Sequence, residues 1–332
     1  MKNKIKKGRV KIKMCTAIRF NERYFGRTFD YERGFGERLI VTPRERTRIL
    51  GADNRYAMMG VGVIFEGTPL YFDGVNEWGL IVAALNFPSF AVYRDATDGE
   101  TGIAAGQLCS HILGVCRSVD EAIAMLKKIT VTPSSPDGKI SSTPLHWIIS
   151  DQRESAVVES VADGLKITKT DEGVLTNSPP IEYHGCRLCD FSSLSPTNPK
   201  ASGVGIGAYS RGMGAIGLPG DFSSSSRFVR AALLKKWVFE KDNADCVCDI
   251  ERSFSVLSSV TIPVGAVISD EGLPVYTRYT AVIDVESPAY YLTTATCRTV
   301  SRISLTDKLF DDKEIRSYPI YFDNEFPSLI EN

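Results

Sequence analysis

Met14-Cys15-Thr16-Ala17-Ile18-Arg19-Phe20, then Asn21-Glu22-Arg23, then Tyr24-Phe25-Gly26-Arg27-Thr28-Phe29-Asp30-Tyr31 is the stretch from which the rest of this chain is read. Thr16, Ile18 and Phe20 alternate with Ala17 and Arg19, the period of two that marks a strand. A polar turn follows, and Tyr24 to Tyr31 returns as a second strand. Such a hairpin sets the start of one strand beside Arg27 and Asp30 of its neighbour. A thiol, a guanidinium and a carboxylate then share one small space, which is a catalytic nucleus if Cys15 is the first residue of the mature chain.

The chain has 332 residues, enough for one large domain or two ordinary ones. Its apolar and charged fractions are those of a globular protein. No apolar run approaches the roughly 20 residues needed to span a bilayer. Net charge is −1, but Lys2, Lys4, Lys6, Lys7, Arg9, Lys11 and Lys13 face no acid within residues 1–14, so the remainder is net acidic. An acidic body argues against a nucleic-acid partner. The basic amino terminus lacks the apolar segment of a signal peptide, which points to a cytoplasmic protein. Lys-Lys-Gly-Arg is also what a purine-rich ribosome-binding site would encode if read as protein. Residues 1–14 are therefore expected to be an over-extended start or a propeptide, absent from a mature single domain of 15–332.

Eight cysteines stand at 15, 109, 116, 186, 189, 246, 248 and 297. Without a secretion signal they are read as free thiols. Cys186-x-x-Cys189, with His184 before it, and Cys246-x-Cys248 are soft-ligand pairs that zinc could use. The one-residue spacer of the second pair argues against a site, and no metal is expected.

Along the chain, Arg38 to Thr42 reads as a strand ended by Pro43, and Tyr56 to Phe65 as one buried on both faces. Leu70 to Phe72 and Gly79 to Phe87 add two more, separated by turn residues Asp73-Gly74 and Asn76-Glu77. Gly102 to Leu113 is expected to be a helix. Ser118 opens another, with Glu121 completing a capping box and Val119, Ile123, Leu126 and Ile129 as its apolar face. Pro133 to Gly138 is a loop. Strands resume at Leu145–Ile149, Ala156–Val161, Leu165–Lys169 and Gly173–Thr176. Residues 178–224 read as one long loop, which in a compact domain is functional or contacts another subunit. Helices are expected at Ser225–Phe239, with Leu233, Leu234, Trp237 and Val238 inward, and at Ala244–Ser259. Late strands fall at Val275–Val285 and Tyr290–Thr294. The order suits two stacked sheets covered by helices, a mixed α+β sandwich.

Met-Cys-Thr before an apolar strand and Phe-Gly-Arg-x-x-Asp resembles the amino terminus of the choloylglycine hydrolase family, which holds the bile salt hydrolases and penicillin V acylases. Further matches recur in order at Asn76-Glu77-x-Gly79-Leu80, Leu85-Asn86-Phe87-Pro88, Leu145-His146-Trp147 and Leu175-Thr176-Asn177. The last runs from Pro219-Gly220-Asp221 through Ser226-Arg227-Phe228-Val229-Arg230. Together they span nearly everything from Cys15 onward. The resemblance implies a four-layer αββα sandwich of the N-terminal-nucleophile hydrolase type, no cofactor and a homotetramer.

An amino-terminal cysteine carries a nucleophile and a base on one residue, because its α-amine can take the thiol proton near neutral pH. The resemblance implies a role for each matching residue. Arg27 would support the thiolate and Asp30 would hold the α-amine. The Asn177 amide and the Asn86 backbone N–H would form the oxyanion hole, and Arg227 would steady the nucleophile or the tetrahedral intermediate. Taken singly, each has a plainer reading: Cys15 as a small core residue, Arg27 and Asp30 as a cross-strand ion pair, Asn177 as part of a turn, Arg227 as a helix charge. His111, His146 and His184 read as structural. Within the family the position of Asn86 tends to be Asn in bile salt enzymes and Tyr in penicillin enzymes, so the resemblance favours a conjugated bile acid, with penicillin V or a related acyl amide as the alternative substrate. Phe29, Phe65 and Phe87, with Asn86, are its expected contacts. The segment 131–144, where the family would place more of the apolar wall, is polar here. Readings of another class are a ligand-binding relic and a metal-binding module.

Overall fold

The computed structural model describes residues 14–49, 52–135, 137–140, 142–200, 207–240 and 247–322. Strands β1 (Met14–Arg19) and β2 (Tyr24–Tyr31) form the expected antiparallel hairpin, with Cys15 opposite Phe29 and Ala17 opposite Arg27. Asn21 closes the turn: its side-chain oxygen accepts from the backbone N–H of Arg23 at 2.9 Å and of Tyr24 at 2.8 Å.

The hairpin lies inside one sheet, whose strand order is Val174–Leu175, β1, β2, Pro274–Asp284, Ala289–Thr294, Ser301–Ser304. A second sheet runs Gly164–Lys169, Ser155–Val161, Leu145–Ser150, Ile81–Asn86, Thr68–Asn76, Met58–Phe65, Arg38–Thr42, Arg316–Pro319. Every pairing in both is antiparallel. The strand period of two assigns the layers. In the second sheet Val41, Met59, Ala83 and Ile148 pack against Cys15, Ala17 and Phe29 of the first. Their neighbours Ile40, Met58, Val82 and Trp147 turn outward onto helices α1 (Leu108–Val115) and α2 (Val119–Leu126). The first sheet's outer face carries α4 (Ser224–Phe239) and α5 (Asp249–Ser258), with α3 (Ile181–Cys189) packed on α4. The architecture is the α+β αββα sandwich of the N-terminal-nucleophile hydrolases. Gly26 of the Phe-Gly-Arg motif permits the close approach of α5. A Cβ there would stand 2.7 Å from the Ala281 carbonyl oxygen and 2.8 Å from Leu257 Cδ1.

Several expectations are corrected. Asp73-Gly74 is not a turn but lies within the strand Thr68–Asn76. Gly102–Leu113 is only partly helical: Thr101–Ala104 is a strand paired in parallel with Ile129–Thr132, so Ile129 belongs to that ladder and not to α2. Gly102 makes this possible, since a Cβ there would already press on the Thr132 and Ala96 side chains at 2.9 and 3.0 Å. The segment 178–224 contains α3 and a single turn at Met213–Ala215. The last of the expected helices starts at Asp249, and residues 241–246, Cys246 among them, lie outside the described residues. Ser118 does cap α2, accepting from the Glu121 N–H at 3.2 Å. No helix among the described residues is long and apolar enough to cross a membrane. The described residues hold no group of three or more His, Cys, Asp or Glu arranged for a metal.

Candidate active site

Cys15 sits near the start of β1, 1% exposed, at the seam between the two sheets. Its backbone N–H donates to Asn177 Oδ1 at 2.8 Å. Arg227 grips the same residue from the helix side. Its Nη1 donates to the Cys15 carbonyl at 2.5 Å and to Thr16 Oγ1 at 2.6 Å, and its Nη2 to Asn177 Oδ1 at 2.8 Å. The sequence puts it there through the α4 entry, where Ser223 caps the helix and Asp221 accepts from the Ser223 N–H and the Ser226 hydroxyl. Arg227 therefore falls in the first turn and points at β1.

Asn177 follows the short strand Val174–Leu175, beside β1. Its peptide is held on both sides: the N–H donates to Ser224 Oγ at 2.8 Å, and the carbonyl accepts from Ser224 Oγ and His184 Nε2, each at 2.9 Å. One residue earlier, the Thr176 carbonyl accepts from His146 Nε2 at 3.0 Å, and the other ring nitrogen of His146 meets Glu159 at 3.1 Å. The Asn177 side-chain amide donates to the Asn86 carbonyl at 2.8 Å, so the two asparagines are in direct contact. An amide nitrogen carries two hydrogens, leaving one for a further acceptor.

Arg27 approaches from the opposite face of β2 and is fully buried between the sheets. It pairs with Asp73 and not with Asp30: Nη1 donates to Asp73 Oδ2 at 2.9 Å and to the Phe72 carbonyl at 3.2 Å. Asp73 also accepts from the hydroxyls of Tyr279, at 2.5 Å, and Tyr290. The carboxylate of Asp30 is held by Thr277 Oγ1 at 2.6 Å and Thr28 Oγ1 at 3.0 Å. The hydrogen bond of the Cys15 nitrogen thus goes to Asn177, where the resemblance implied Asp30.

Burial pushes the Cys15 thiol upward. The Arg27 guanidinium is the strongest influence against it, with the backbone N–H of Asp30 and the Arg227 charge in the same sense and the Asp30 carboxylate opposing. The two guanidinium charges offset part of the cost that burial puts on a thiolate, and the remaining Asn177 amide hydrogen is a donor an oxyanion could use.

One cavity borders this cluster and another is lined by Phe29, the residue opposite Cys15 on β2. The first, of about 590 Å³, is bordered by Met14, Asn177, Arg227, Ser224, Phe222 and Pro88. The other, of about 200 Å³, is mostly apolar and includes Phe29, Tyr31, Phe72, Ala84, Ile140 and Leu145 in its wall. Phe29 lines this second cavity. Phe65 lies at a strand end, 40% exposed, and lines neither cavity; Phe87 is buried and stacks on the His146 ring at 4.3 Å.

Sequence reading missed Asp73, Ser224 and the tyrosine pair. Asp73 had a weak signal, an acid inside an apolar strand run. Its direction had none, because a bulge at Phe72 separates the pairs Val61–Asp73 and Gly62–Tyr71. Tyr71 thereby faces α1 while Asp73, two residues on, faces the other sheet.

The sandwich places the chain among the N-terminal-nucleophile hydrolases. The family of linear amide C–N hydrolases known as the choloylglycine hydrolase family matches residues 15–318. The chain belongs to that family and is an amidase. It is 36% identical over 316 residues to a bile salt hydrolase/transferase of Lactiplantibacillus plantarum, covering 92% of this chain and 97% of that protein. A solved variant of the conjugated bile acid hydrolase from Clostridium perfringens superposes with a TM-score of 0.88 at 29% identity, covering 96% of this chain and all of the other. The penicillin V acylase of Agrobacterium tumefaciens shares the fold, with a TM-score of 0.72 at 23% identity over 92% of this chain and 90% of the other.

Proposed function

We propose that the mature protein begins at Cys15 and cleaves the amide bond of glycine- or taurine-conjugated bile acids. The observation that carries the mechanism is the meeting of Cys15, Asn177 and Arg227 through hydrogen bonds of 2.5–2.8 Å, with Arg27 the leading charge on the thiol. The bile acid substrate is supported by what the similar proteins are called and by Asn86, within Leu-Asn-Phe-Pro. Removal of residues 1–14 frees the Cys15 α-amine. That amine takes the thiol proton, and sulfur attacks the amide carbonyl to form a C–S bond while the C=O electrons move onto oxygen. The second hydrogen of the Asn177 amide and the Asn86 N–H stabilise that oxyanion, and Arg27 and Arg227 stabilise the charge on sulfur and around the intermediate. Collapse breaks the C–N bond as the α-ammonium protonates the leaving amine. Water, deprotonated by the α-amine, then cleaves the thioester to the free acid. Asp30 steadies the site through Thr28 and Thr277, and the apolar wall containing Phe29 receives the acyl group. The enzyme is a cytoplasmic homotetramer in this reading.

The test combines intact mass with release of glycine and taurine from cholate conjugates, beside penicillin V, on one sample. A chain starting at Cys15 that releases the amino acids, and loses this with Cys15→Ser, supports the reading. Preferential cleavage of penicillin V moves the substrate to the acylase side. A folded chain that retains residues 1–14 and is inert on all three leaves the ligand-binding relic.

A further inference from the structure

Arg27 is buried beside Cys15, and its carboxylate partner Asp73 belongs to a network with Tyr279 and Tyr290 to which the proposed mechanism gives no role. Its Nη1 is spent on Asp73 Oδ2 and the Phe72 carbonyl, and its Nε lies 3.4 Å from the Thr28 carbonyl. Its Nη2 has no hydrogen-bond partner among the described residues, although it is buried. A guanidinium donor left unsatisfied in the interior costs free energy, and such groups mark a place where something else is received. Asp73 is itself fixed from both sides of its carboxylate, since Tyr279 donates to Oδ2 at 2.5 Å and Tyr290 to Oδ1. All four side chains are buried, and the two tyrosines come from adjacent strands of the nucleophile's own sheet. The Asp73 carboxylate reaches them from the other sheet only because of the Phe72 bulge.

We propose, on the reading of Cys15 as nucleophile, that Asp73, Tyr279 and Tyr290 are positioning residues for the amidase reaction, locking Arg27 so that its free Nη2 edge serves the Cys15 thiolate. A carboxylate that merely neutralised Arg27 would engage both guanidinium nitrogens, the bidentate geometry such pairs favour. Here it holds one nitrogen and leaves the other for the site. The tyrosines fix the orientation of the carboxylate, holding Oδ2 on Nη1 and directing Oδ1 to Tyr290 instead of to the second nitrogen.

The test uses mature protein whose first residue is Cys15 by mass. Tyr279→Phe and Tyr290→Phe keep the rings and remove only the hydroxyls; Asp73→Asn removes the charge. Two quantities are read: the pH profile of Cys15 alkylation by iodoacetamide, localised by peptide mass, and kcat and KM on a conjugated bile acid. For the tyrosine variants, which keep every charge, the expected result is an upward shift of the alkylation profile, with kcat lower by about tenfold and KM within about twofold; Asp73→Asn, which also removes a negative charge beside Arg27, is expected to lower kcat. If Asp73→Asn does not fold, the two tyrosine variants decide. Folded variants with an unmoved profile and kcat within about twofold of wild type overturn the proposal, even where melting temperature has dropped. If alkylating Cys15 in the wild type leaves activity intact, the nucleophile reading fails and this proposal with it. If alkylation abolishes activity and the variants behave as wild type, this proposal alone fails.

Discussion

Asn177 is the residue on which the candidate site converges, and its environment explains how one short side chain can serve several partners. Its Oδ1 accepts from both the Cys15 nitrogen and Arg227, while its amide reaches Asn86. Its backbone cannot drift, because Ser224 and His184 fasten both the N–H and the carbonyl. Asn177→Ala is expected to lower kcat by about 10²–10³ with a small change in KM, the effect of losing one oxyanion donor. Steady-state kinetics on the mature enzyme checks this, and a change confined to KM would show that Asn177 only binds. Cys15, Arg27, Asn177 and Arg227 were legible in sequence because they stand in short motifs of fixed spacing. Ser224 was not, since a serine at a helix start is read as a cap and nothing local reveals that its hydroxyl turns to a loop forty-seven positions away in sequence.

At the scale of elements, the hairpin β1–β2 is built to be approached closely. Ala17 and Ala281 flank Arg27 in the neighbouring strands, and Gly26 leaves room for Leu257 of α5. Gly26→Ala would press a methyl group into the Ala281 carbonyl and Leu257, and overpacking of this kind costs about 1–3 kcal/mol. Urea denaturation should show a lower midpoint with an unchanged slope; an unchanged midpoint would mean that α5 moves aside freely. The family motifs also resolve into structural devices at this scale. Asn76 ties the turn before Ile81–Asn86 to the end of α1, donating to the Leu113 and Cys116 carbonyls at 2.9 and 2.7 Å. Pro219 and Asp221 offer their carbonyls to Arg230, which pins the α4 entry and so aims Arg227.

For the whole molecule, buried histidine links folding to pH. Burial holds His184 at about 4, below its ordinary 6.5, and its ring stacks on Phe228 at 4.9 Å. The unfolded chain therefore binds this proton first as pH falls. The contribution is full above about 6.5 and is lost progressively towards 4, so stability from this group rises with pH. A shift of that size corresponds to roughly 3 kcal/mol at most. Comparing urea midpoints at pH 7.5 and pH 5 for wild type and His184→Gln isolates it, since the buried carboxylates Asp30 and Asp73, held high by burial, act with the opposite sign in both proteins. Equal pH dependence in the two would show that His184 takes up its proton at the same pH in the folded and unfolded chain.

Local pattern by itself determined the hairpin, most of the strands, the cap of α2, and the family, because each is written in neighbouring residues through the strand period, turn chemistry and motif spacing. It could not decide which partner a buried charge finds. Arg27 and Asp30 lie three residues apart on one strand and so point to opposite faces of the sheet. Tertiary structure sends the first to Asp73 on the other sheet and the second to Thr277 on the adjacent strand. The same holds for Thr101–Ala104, where pairing with Ile129–Thr132 overrides an Ala- and Ile-bearing stretch that reads as helix. In both cases the deciding contact joins residues far apart in the chain, and only the packed sheets bring them together.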